Sequence, residues 1–151
     1  MRLSTKIKYT LRAIIELANH YEKRPITIKW IAARQGISIS YLEQILSQMR
    51  KAGFITSIKG PGGGYRLVQP PEKIKVHDII KLLDGEEFII ACLEQTISEC
   101  EGVSLCVPER YWRNIAKMLE ELLRDVTVAD ICTEQKKTEK KRKQRRKPKR
   151  V

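Results

Sequence analysis

The chain has 151 residues, of which 42% are hydrophobic. That share is enough for a domain with a buried core and argues against a wholly disordered chain. No apolar run reaches about 18 residues, which excludes a membrane span, and the N-terminus lacks the apolar segment of a secretory signal. We therefore expect a cytoplasmic protein. The 30 Lys and Arg residues against 18 Asp and Glu residues give a net charge of +12, which favours a polyanionic partner such as nucleic acid.

The net charge is the remainder of three blocks of opposite sign. Residues 1–75 carry 14 basic and 4 acidic side chains, a net charge of +10. Residues 76–135 carry 5 basic and 13 acidic side chains, a net charge of −8. Residues 136–151 carry 11 basic and 1 acidic side chain, again a net charge of +10. We expect the first block, rather than the whole chain, to contain the selective contact with nucleic acid.

The first block begins with two predicted helices. Residues 4–21 have apolar side chains at helical spacing, which predicts one amphipathic helix. Thr27 can cap a second helix over residues 28–34. Gly36 can end that helix in the left-handed backbone conformation.

A third helix follows after a glycine-containing turn, and together the second and third predict a helix-turn-helix. Ser40 followed by Glu43 matches a capping box at its start, and Gly53 marks its end. Leu42, Ile45, Leu46 and Met49 would form its buried face. Its outward side chains are of types that read base edges or contact phosphates. The residues predicted to contact DNA from this helix are Ser40, Tyr41, Glu43, Gln44, Ser47, Gln48 and Lys51.

The residues after this helix predict a β-hairpin, or wing, with the turn KGPGGG between two β-prone segments at 54–58 and 65–68. Its glycines permit a left-handed backbone and close approach to a phosphate, and its basic side chains could contact phosphates. A tight turn alone remains the alternative. No Lys-Ser/Thr pair follows the glycines, which excludes a P-loop. The wing residues predicted to contact DNA are Lys59, Gly62, Gly63, Gly64 and Arg66.

The middle block predicts two more helices. The first begins near Val76 and ends at Asp84-Gly85, and the second follows Pro108 with apolar side chains at i, i+3 and i+4 up to Val126. This stripe is broad for so small a domain. We expect it to pack on a second copy in a symmetric homodimer, with packing inside one chain as the alternative. A dimer would place two reading helices on a palindromic duplex.

Three cysteines, Cys92, Cys100 and Cys106, lie between these helices with the spacing C-x7-C-x5-C. A cytoplasmic chain does not keep structural disulfides, so the cluster points to metal or redox chemistry. Thiolates suit zinc or an iron–sulfur cluster, and the wide spacing lacks the C-x2–4-C pair usual for zinc. An iron–sulfur cluster is therefore favoured. Zinc, thiol redox chemistry and incidental buried cysteines remain open.

The last block, residues 136–151, has one apolar residue, the terminal Val151. Because it cannot bury enough apolar surface to offset ordering, we expect a disordered basic tail. Such a tail would bind polyanions weakly and without selectivity, with a specific grip on flanking DNA as the alternative.

Three segments together, MRLSTKIKYTLRAIIELA, SISYLEQILSQMRKAGFI and SIKGPGGGYRL, resemble the BadM/Rrf-type winged-helix regulators over roughly residues 1–132. That group includes iron–sulfur cluster regulators, nitric-oxide-sensitive repressors, rhizobial iron regulators and cysteine-metabolism repressors. The resemblance implies a dimeric bacterial transcription factor with a winged helix-turn-helix and a long dimerisation helix. Members with three loop cysteines bind a 2Fe–2S or 4Fe–4S cluster whose presence or loss changes DNA binding.

The resemblance implies that Cys92, Cys100 and Cys106 are the cluster ligands, and it leaves the fourth ligand undefined. The x7 spacing is similar to that of the rhizobial type. Glu109 stands where the cluster regulators have a histidine ligand, and Lys8 stands where nitric-oxide repressors have an aspartate. Glu109 could supply a carboxylate or could simply favour a helix N-terminus. Cys132 is more consistent with a buried small apolar residue.

These observations predict a mainly α fold with a small β-wing. The expected domains are a winged helix-turn-helix at residues 1–70, a cysteine-loop sensor with dimerisation helices at 71–135, and the basic tail at 136–151. The expected function is a DNA-binding transcriptional regulator, of repressor type, switched by an iron–sulfur cluster that senses iron status, oxygen or nitric oxide. Its partners would be a palindromic DNA operator and a second copy, without a membrane. The alternatives are a protein-interaction or iron–sulfur carrier module and a zinc or thiol-redox regulator. No nucleophile–base pair or nucleotide fingerprint suggests an enzyme.

Overall fold

A computed structural model of the protein describes residues 4–85 and 109–145. None of the helices in these two ranges is both long enough and apolar enough to cross a bilayer. In chain order the elements are α1 (Thr5–Asn19), α2 (Ile28–Gln35), α3 (Ile39–Lys51), β1 (Ile55–Ile58), β2 (Gly64–Leu67), a 3-10 turn (Pro71–Lys73), α4 (Val76–Asp84), α5 (Glu109–Asp125) and α6 (Val128–Arg145). The mainly helical fold with one small antiparallel sheet is the predicted class.

The helix-turn-helix is confirmed by its caps. The Thr27 hydroxyl accepts a hydrogen bond from the Trp30 amide at 3.2 Å and begins α2, and Gly36 ends α2 with φ = +63°. The predicted buried face of α3, from Leu42 to Met49, is at most 1% exposed. These side chains pack with those of α1, α2 and α4 into one hydrophobic core.

The start of α3 differs from the prediction. Ser38, not Ser40, is the N-cap, and its hydroxyl accepts from the Tyr41 amide at 3.3 Å. The capping-box prediction is therefore wrong. Both serines have side chains that can cap a helix. The helix begins at Ile39, directly after the buried Ile37 and the N-cap Ser38. Ser40 consequently lies inside the first turn with an exposed side chain.

The wing forms as predicted, with Ile55 paired to Leu67 and Ile58 to Gly64 across an antiparallel ladder. Its second strand is also bonded on the other edge, where Ile26 and Tyr65 exchange backbone hydrogen bonds of 3.1 and 2.8 Å. The segment between α1 and α2 thus extends the hairpin. Through this bridge the base of the wing is fixed to the helix-turn-helix.

Helix α5 returns the chain to the start of α4. The Val76 amide donates to Val126 O at 3.0 Å, and the Val128 amide donates to Ile74 O at 2.9 Å. Beyond this junction α6 packs on α1, and Val128 and Cys132 belong to the same core as Ile7. The predicted boundary at residue 70 therefore does not separate two cores.

The prediction of a disordered tail from residue 136 is wrong for residues 136–145, which continue α6. Lys, Arg, Glu and Gln are good helix formers, and the packed first turns supply the nucleus that an isolated basic peptide would lack. The remaining tail residues, 146–151, lie outside the described residues.

Candidate nucleic-acid interface

Helix α3 presents a polar surface on the side opposite its buried face. Four of the predicted DNA-contacting side chains are exposed, and Ser47 is half-buried beside them. The exposed four are Ser40, Glu43, Gln44 and Lys51. Together with Ser47 these residues are separated by one, three or four positions, so they lie on one face of α3. The helix is about 20 Å long. This set of donors and acceptors is suited to base edges and phosphates in a major groove.

Tyr41 lies at the edge of this surface and is half-buried. Its ring meets the ring of Tyr9 in α1 edge to face, with centroids 5.7 Å apart. The guanidinium of Arg12 lies over the Tyr9 ring, 5.4 Å from the ring centroid. Tyr41 therefore joins α3 to α1 and is itself only partly buried.

Gln48 lies at the edge of the exposed polar surface of α3, as Tyr41 does. It lies seven residues after Tyr41, nearly two helical turns, and so occupies the same edge of α3. Its side-chain amide donates to Leu82 O in the last turn of α4 at 3.3 Å. This contact directs the Gln48 amide towards α4, and its contact with DNA stays a prediction. Its contact links α3 to the end of α4, three residues before Gly85.

The wing that follows α3 carries two basic side chains. Lys59 and Arg66 are both exposed, Lys59 at the start of the turn and Arg66 on β2. The Arg50 guanidinium, in the last turn of α3, donates to the Ser57 hydroxyl of β1 at 3.4 Å. This contact links the end of α3 to the first wing strand.

At two of the glycines predicted to approach phosphate, a side chain would clash with the backbone of the protein itself. A Cβ on Gly63 would overlap Ile58 O, and a Cβ on Gly64 would overlap Ile26 O. By contrast, Gly62 has φ = +74° and open space where its Cβ would be. Of the three predicted positions, Gly62 leaves room for a ligand, while Gly63 and Gly64 have a sufficient structural reason to be glycine.

A buried carboxylate that the sequence did not reveal holds α1 against α2. Glu16 is 3% exposed and accepts from the Arg34 guanidinium at 2.9 Å and from the Gln35 side-chain amide. Arg12 in turn donates to the side-chain oxygen of Gln35 at 2.8 Å. This network fixes the first helix of the helix-turn-helix. Its acidic member lies on the apolar face of α1, where a periodicity count assigns only hydrophobic residues.

A second polar contact joins α4 to α5. His77 Nε2 lies 3.2 Å from Glu120 Oε1, and Arg124 donates to the same oxygen at 3.3 Å. The hydrogen bond with His77 is the main cause that lowers the pKa of Glu120, opposed by partial burial and supported by Arg124. The sequence does not reveal this contact, because Glu120 is 43 residues from His77 along the chain.

The three predicted cluster ligands, Cys92, Cys100 and Cys106, lie outside the described residues. The side chain of Glu109, the possible fourth ligand, is outside them too, although α5 begins there. Cys132 is 7% exposed, and burial raises the pKa of its thiol, as expected for a small core residue. Across residues 4–85 and 109–145, no three His, Cys, Asp or Glu side chains converge as a metal site would require.

Known proteins share this architecture. Residues 3–134 match the profile of the Rrf2 family, an iron-dependent transcriptional regulator. The HTH-type transcriptional regulator IscR of Vibrio parahaemolyticus is 34% identical over 134 residues, which cover 89% of this chain and 79% of that protein. Protein rrf2 of Nitratidesulfovibrio vulgaris is 37% identical over 131 residues, 87% of each chain.

Solved structures give the same result. T. potens IscR matches with a TM-score of 0.70 and 34% identity, covering 89% of this chain and 88% of that one. CymR, the global cysteine regulator of B. subtilis, also matches with a TM-score of 0.70 and 34% identity, covering 88% of this chain and 97% of that one. These relatives are transcriptional regulators and not enzymes, as the sequence predicted. The winged-helix fold, the profile match and the identity over most of the chain show that this protein belongs to the Rrf2 family of transcriptional regulators.

Proposed function

We propose that the protein is a homodimeric repressor that binds a palindromic DNA operator through α3 and the wing, under the control of an iron–sulfur cluster. The observation that carries the DNA-binding part is the exposed polar surface of α3, held beside the basic wing by the contact between Arg50 and Ser57. Ser40, Glu43 and Gln44 would read base edges, and Lys59 and Arg66 would bind phosphates. The net charge of +10 over residues 1–75 supports this assignment.

Selection of bound duplexes from a random library, followed by footprinting, tests this part. We expect one preferred sequence with two-fold symmetry. Glu43→Ala or Gln44→Ala should relax preference at particular base pairs, while Glu22→Ala, an exposed carboxylate between α1 and α2, is the matched control. A protein-interaction or iron–sulfur carrier module would give no sequence-selective protection, and that result would reject the proposal.

The proposal of a dimer is based on one face of α5. Ala116, Leu119 and Leu123 of this helix pack on the core, but a second apolar row faces away from it. Tyr111, Ile115, Met118 and Leu122 follow at spacings of three and four residues, the spacing of a helix–helix seam. Their side chains are 42–65% exposed, which is unusual for such large apolar groups at regular spacing. A second copy of α5 would cover them across a two-fold axis.

Sedimentation velocity tests the dimer. Met118→Glu with Leu122→Glu should give a folded monomer, because the new charges would be buried in the interface but not in the isolated chain. Lys117→Glu adds an acidic residue to the same helix outside the apolar row and should leave the dimer intact. A dimer that survives the first pair of changes would place the interface elsewhere.

The cluster part rests on the donor set. Cys92, Cys100 and Cys106 offer three soft thiolates in one segment, the ligand type that iron–sulfur clusters use. When bound, such a cluster supplies iron that reacts with oxygen or nitric oxide and is lost to chelators. Three thiolates tied to one group would restrain the segment that joins Gly85 at the end of α4 to Glu109 at the start of α5.

The contacts of α4 provide a route from that segment to the reading helix. Leu82 O, in the last turn of α4, accepts from Gln48 of α3, and His77 in the first turn pairs with Glu120 of α5. A shift of α4 would therefore change the placement of α3 relative to the helix proposed to form the dimer. DNA affinity would respond only as far as the two arrangements differ in stability.

Anaerobic purification with an absorption spectrum and iron and sulfide counts tests the cluster. We expect a coloured protein that loses iron when Cys92, Cys100 or Cys106 is changed to Ala, and keeps it when Cys132 is changed. A colourless protein with stoichiometric zinc would reject the cluster and favour the zinc alternative.

A further inference from the structure

The end of helix α6 forms a strongly basic surface, which we call the basic arm and define as residues 136–143. Every side chain in this range is exposed. Six of the eight are basic and one, Glu139, is acidic, so the arm carries a net charge of +5. The basic residues are Lys136, Lys137, Lys140, Lys141, Arg142 and Lys143.

The arm is a continuation of a firmly anchored helix. A reciprocal capping box begins α6: the Thr127 amide donates to the Asp130 carboxylate at 2.8 Å, and the Asp130 amide donates to the Thr127 hydroxyl at 3.2 Å. Val128 and Cys132 are buried in the core. At 1.5 Å per residue, the eight residues of the arm extend about 12 Å beyond this root.

The last contacts of α6 with the body show where the arm leaves it. The side-chain amide of Asn19, the last residue of α1, donates to the Gln135 side chain at 3.4 Å. The arm begins at the residue after Gln135 and therefore leaves the body next to the end of α1. There the chain turns through the exposed Lys23 and Arg24 to Ile26, which is bonded to the wing strand at Tyr65.

Positively charged side chains lie close together on the arm, and their mutual repulsion is unfavourable for the protein alone. Lys136 and Lys140, and Lys137 and Lys141, are i, i+4 pairs of like charge, which destabilise a helix. An ion pair of 2.7 Å between Lys137 and Glu134, together with the single acidic residue Glu139, offsets part of this repulsion. Favourable interaction with the helix C-terminus accounts for cations in the last turn but not for cations from Lys136 onward. A polyanion at this surface would remove the repulsion.

We propose that the basic arm binds the phosphate backbone of duplex DNA next to the sequence read by α3 and the wing. The inference rests on the proposed DNA-binding function, since the arm leaves the body beside the loop that is bonded to the wing. Apart from Thr138 and Glu139, the side chains of the arm are cationic donors, and the arm has no wing to fix its register. It would therefore add affinity without sequence preference, and only where the duplex extends beyond the selected base pairs.

The test compares Lys136→Gln/Lys140→Gln with Lys73→Gln/Lys117→Gln in the full chain. Both pairs remove two exposed positive charges, and glutamine keeps the helix propensity of lysine. Binding is measured against salt on two duplexes. One ends at the last base pair whose identity is selected, and the other carries about ten further base pairs on each side, roughly one helical turn.

The arm variant should bind the long duplex with a salt dependence less steep by about 0.9 for each phosphate that the arm no longer neutralises, and should bind the short duplex like the control variant. Equal salt slopes for the arm and control variants on the long duplex would overturn the proposal. Competition by polyglutamate as effective as that by DNA phosphate would also overturn it, in favour of an acidic protein partner.

Failure of the arm and failure of the proposed function give different results. If library selection yields no preferred sequence, the proposed function fails, and the arm is then measured on a 40-base-pair duplex of arbitrary sequence, a length of roughly four helical turns. If a preferred sequence exists but the two variants respond alike to salt, the arm fails and the operator assignment stands.

Discussion

The first and last blocks of the chain carry the same net charge of +10 but are built differently. In the first, the basic side chains surround a packed helix-turn-helix, and Lys59, Arg66 and Lys51 stand beside uncharged and acidic groups at fixed positions. In the described part of the last block, every side chain from 136 to 143 is exposed. Equal charge can therefore serve two purposes. A rigid mixed surface can select a sequence, and a uniform basic helix can only hold a backbone.

The largest difference between the two regions should be in folding. Leu46 of α3 is fully buried, so Leu46→Ala should lower the free energy of unfolding by about 2–5 kcal/mol. Lys140→Ala in the arm should change it by less than about 0.5 kcal/mol. Urea denaturation followed by circular dichroism measures both. Similar losses for the two variants would mean that the arm is packed against the body.

The next difference should be in base selectivity. Loss of Glu43 or Gln44 should cost about 1–3 kcal/mol of discrimination at particular base pairs, because each side chain would read a base edge. Lys143→Ala should weaken binding to all sequences alike. Competition binding with single-base variants of the selected duplex measures this. Unchanged base preference for Glu43→Ala and Gln44→Ala would contradict the assignment of the reading surface.

Deletion of residues 136–151 tests the comparison as a whole, since it lowers the net charge of the chain from +12 to +2. We expect the ratio of selective to non-selective affinity to survive, while the salt dependence of both becomes less steep by about 0.9 for each phosphate that is no longer neutralised. Fluorescence anisotropy over a series of salt concentrations measures both slopes. Loss of operator preference would mean that the last block takes part in reading.

The smallest expected effect is a pH dependence at the root of α6. Hydrogen bonds from the Thr127 hydroxyl and amide lower the pKa of Asp130. The ionised carboxylate therefore stabilises the helix start at neutral pH, and this stabilisation is lost as the pH falls through the lowered pKa. The change of ellipticity with pH should be weaker in Asp130→Asn than in the parent chain. Asp125→Asn, at the end of α5, is the matched control. An identical acid response in parent and Asp130→Asn chains would contradict this role.

Much of the fold follows from local rules that depend only on neighbouring residues in the sequence. Thr27 and Gly36 bound α2 as predicted, because capping and left-handed glycine depend on near neighbours. The buried row of α3 and the wing follow from periodicities of 3.6 and 2. Where two residues offer the same local chemistry, the rule does not choose between them. Ser38 and Ser40 are such a pair, and burial of Ile37 decides in favour of Ser38.

The features of the site that the sequence did not reveal come from tertiary contacts. Gln48 has the same side chain as Gln44, and it is turned inward because α4 offers Leu82 O at that edge of α3. Glu16 occupies an apolar row because Arg34 and Gln35 meet it from the next helix. The helical arm was predicted to be disordered because composition says nothing of the packed turns from which it continues.

The burial of Cys132 has a practical consequence. Because its thiol is 7% exposed and burial raises its pKa, a maleimide or disulfide reagent would react with it only when α6 separates from α1. In a chain with the other three cysteines changed to Ala, the labelling rate of this single thiol would report how often the root of the arm opens. The protein thus contains its own probe for local motion between its first and last helices, and adding duplex DNA during labelling would show whether binding slows that motion.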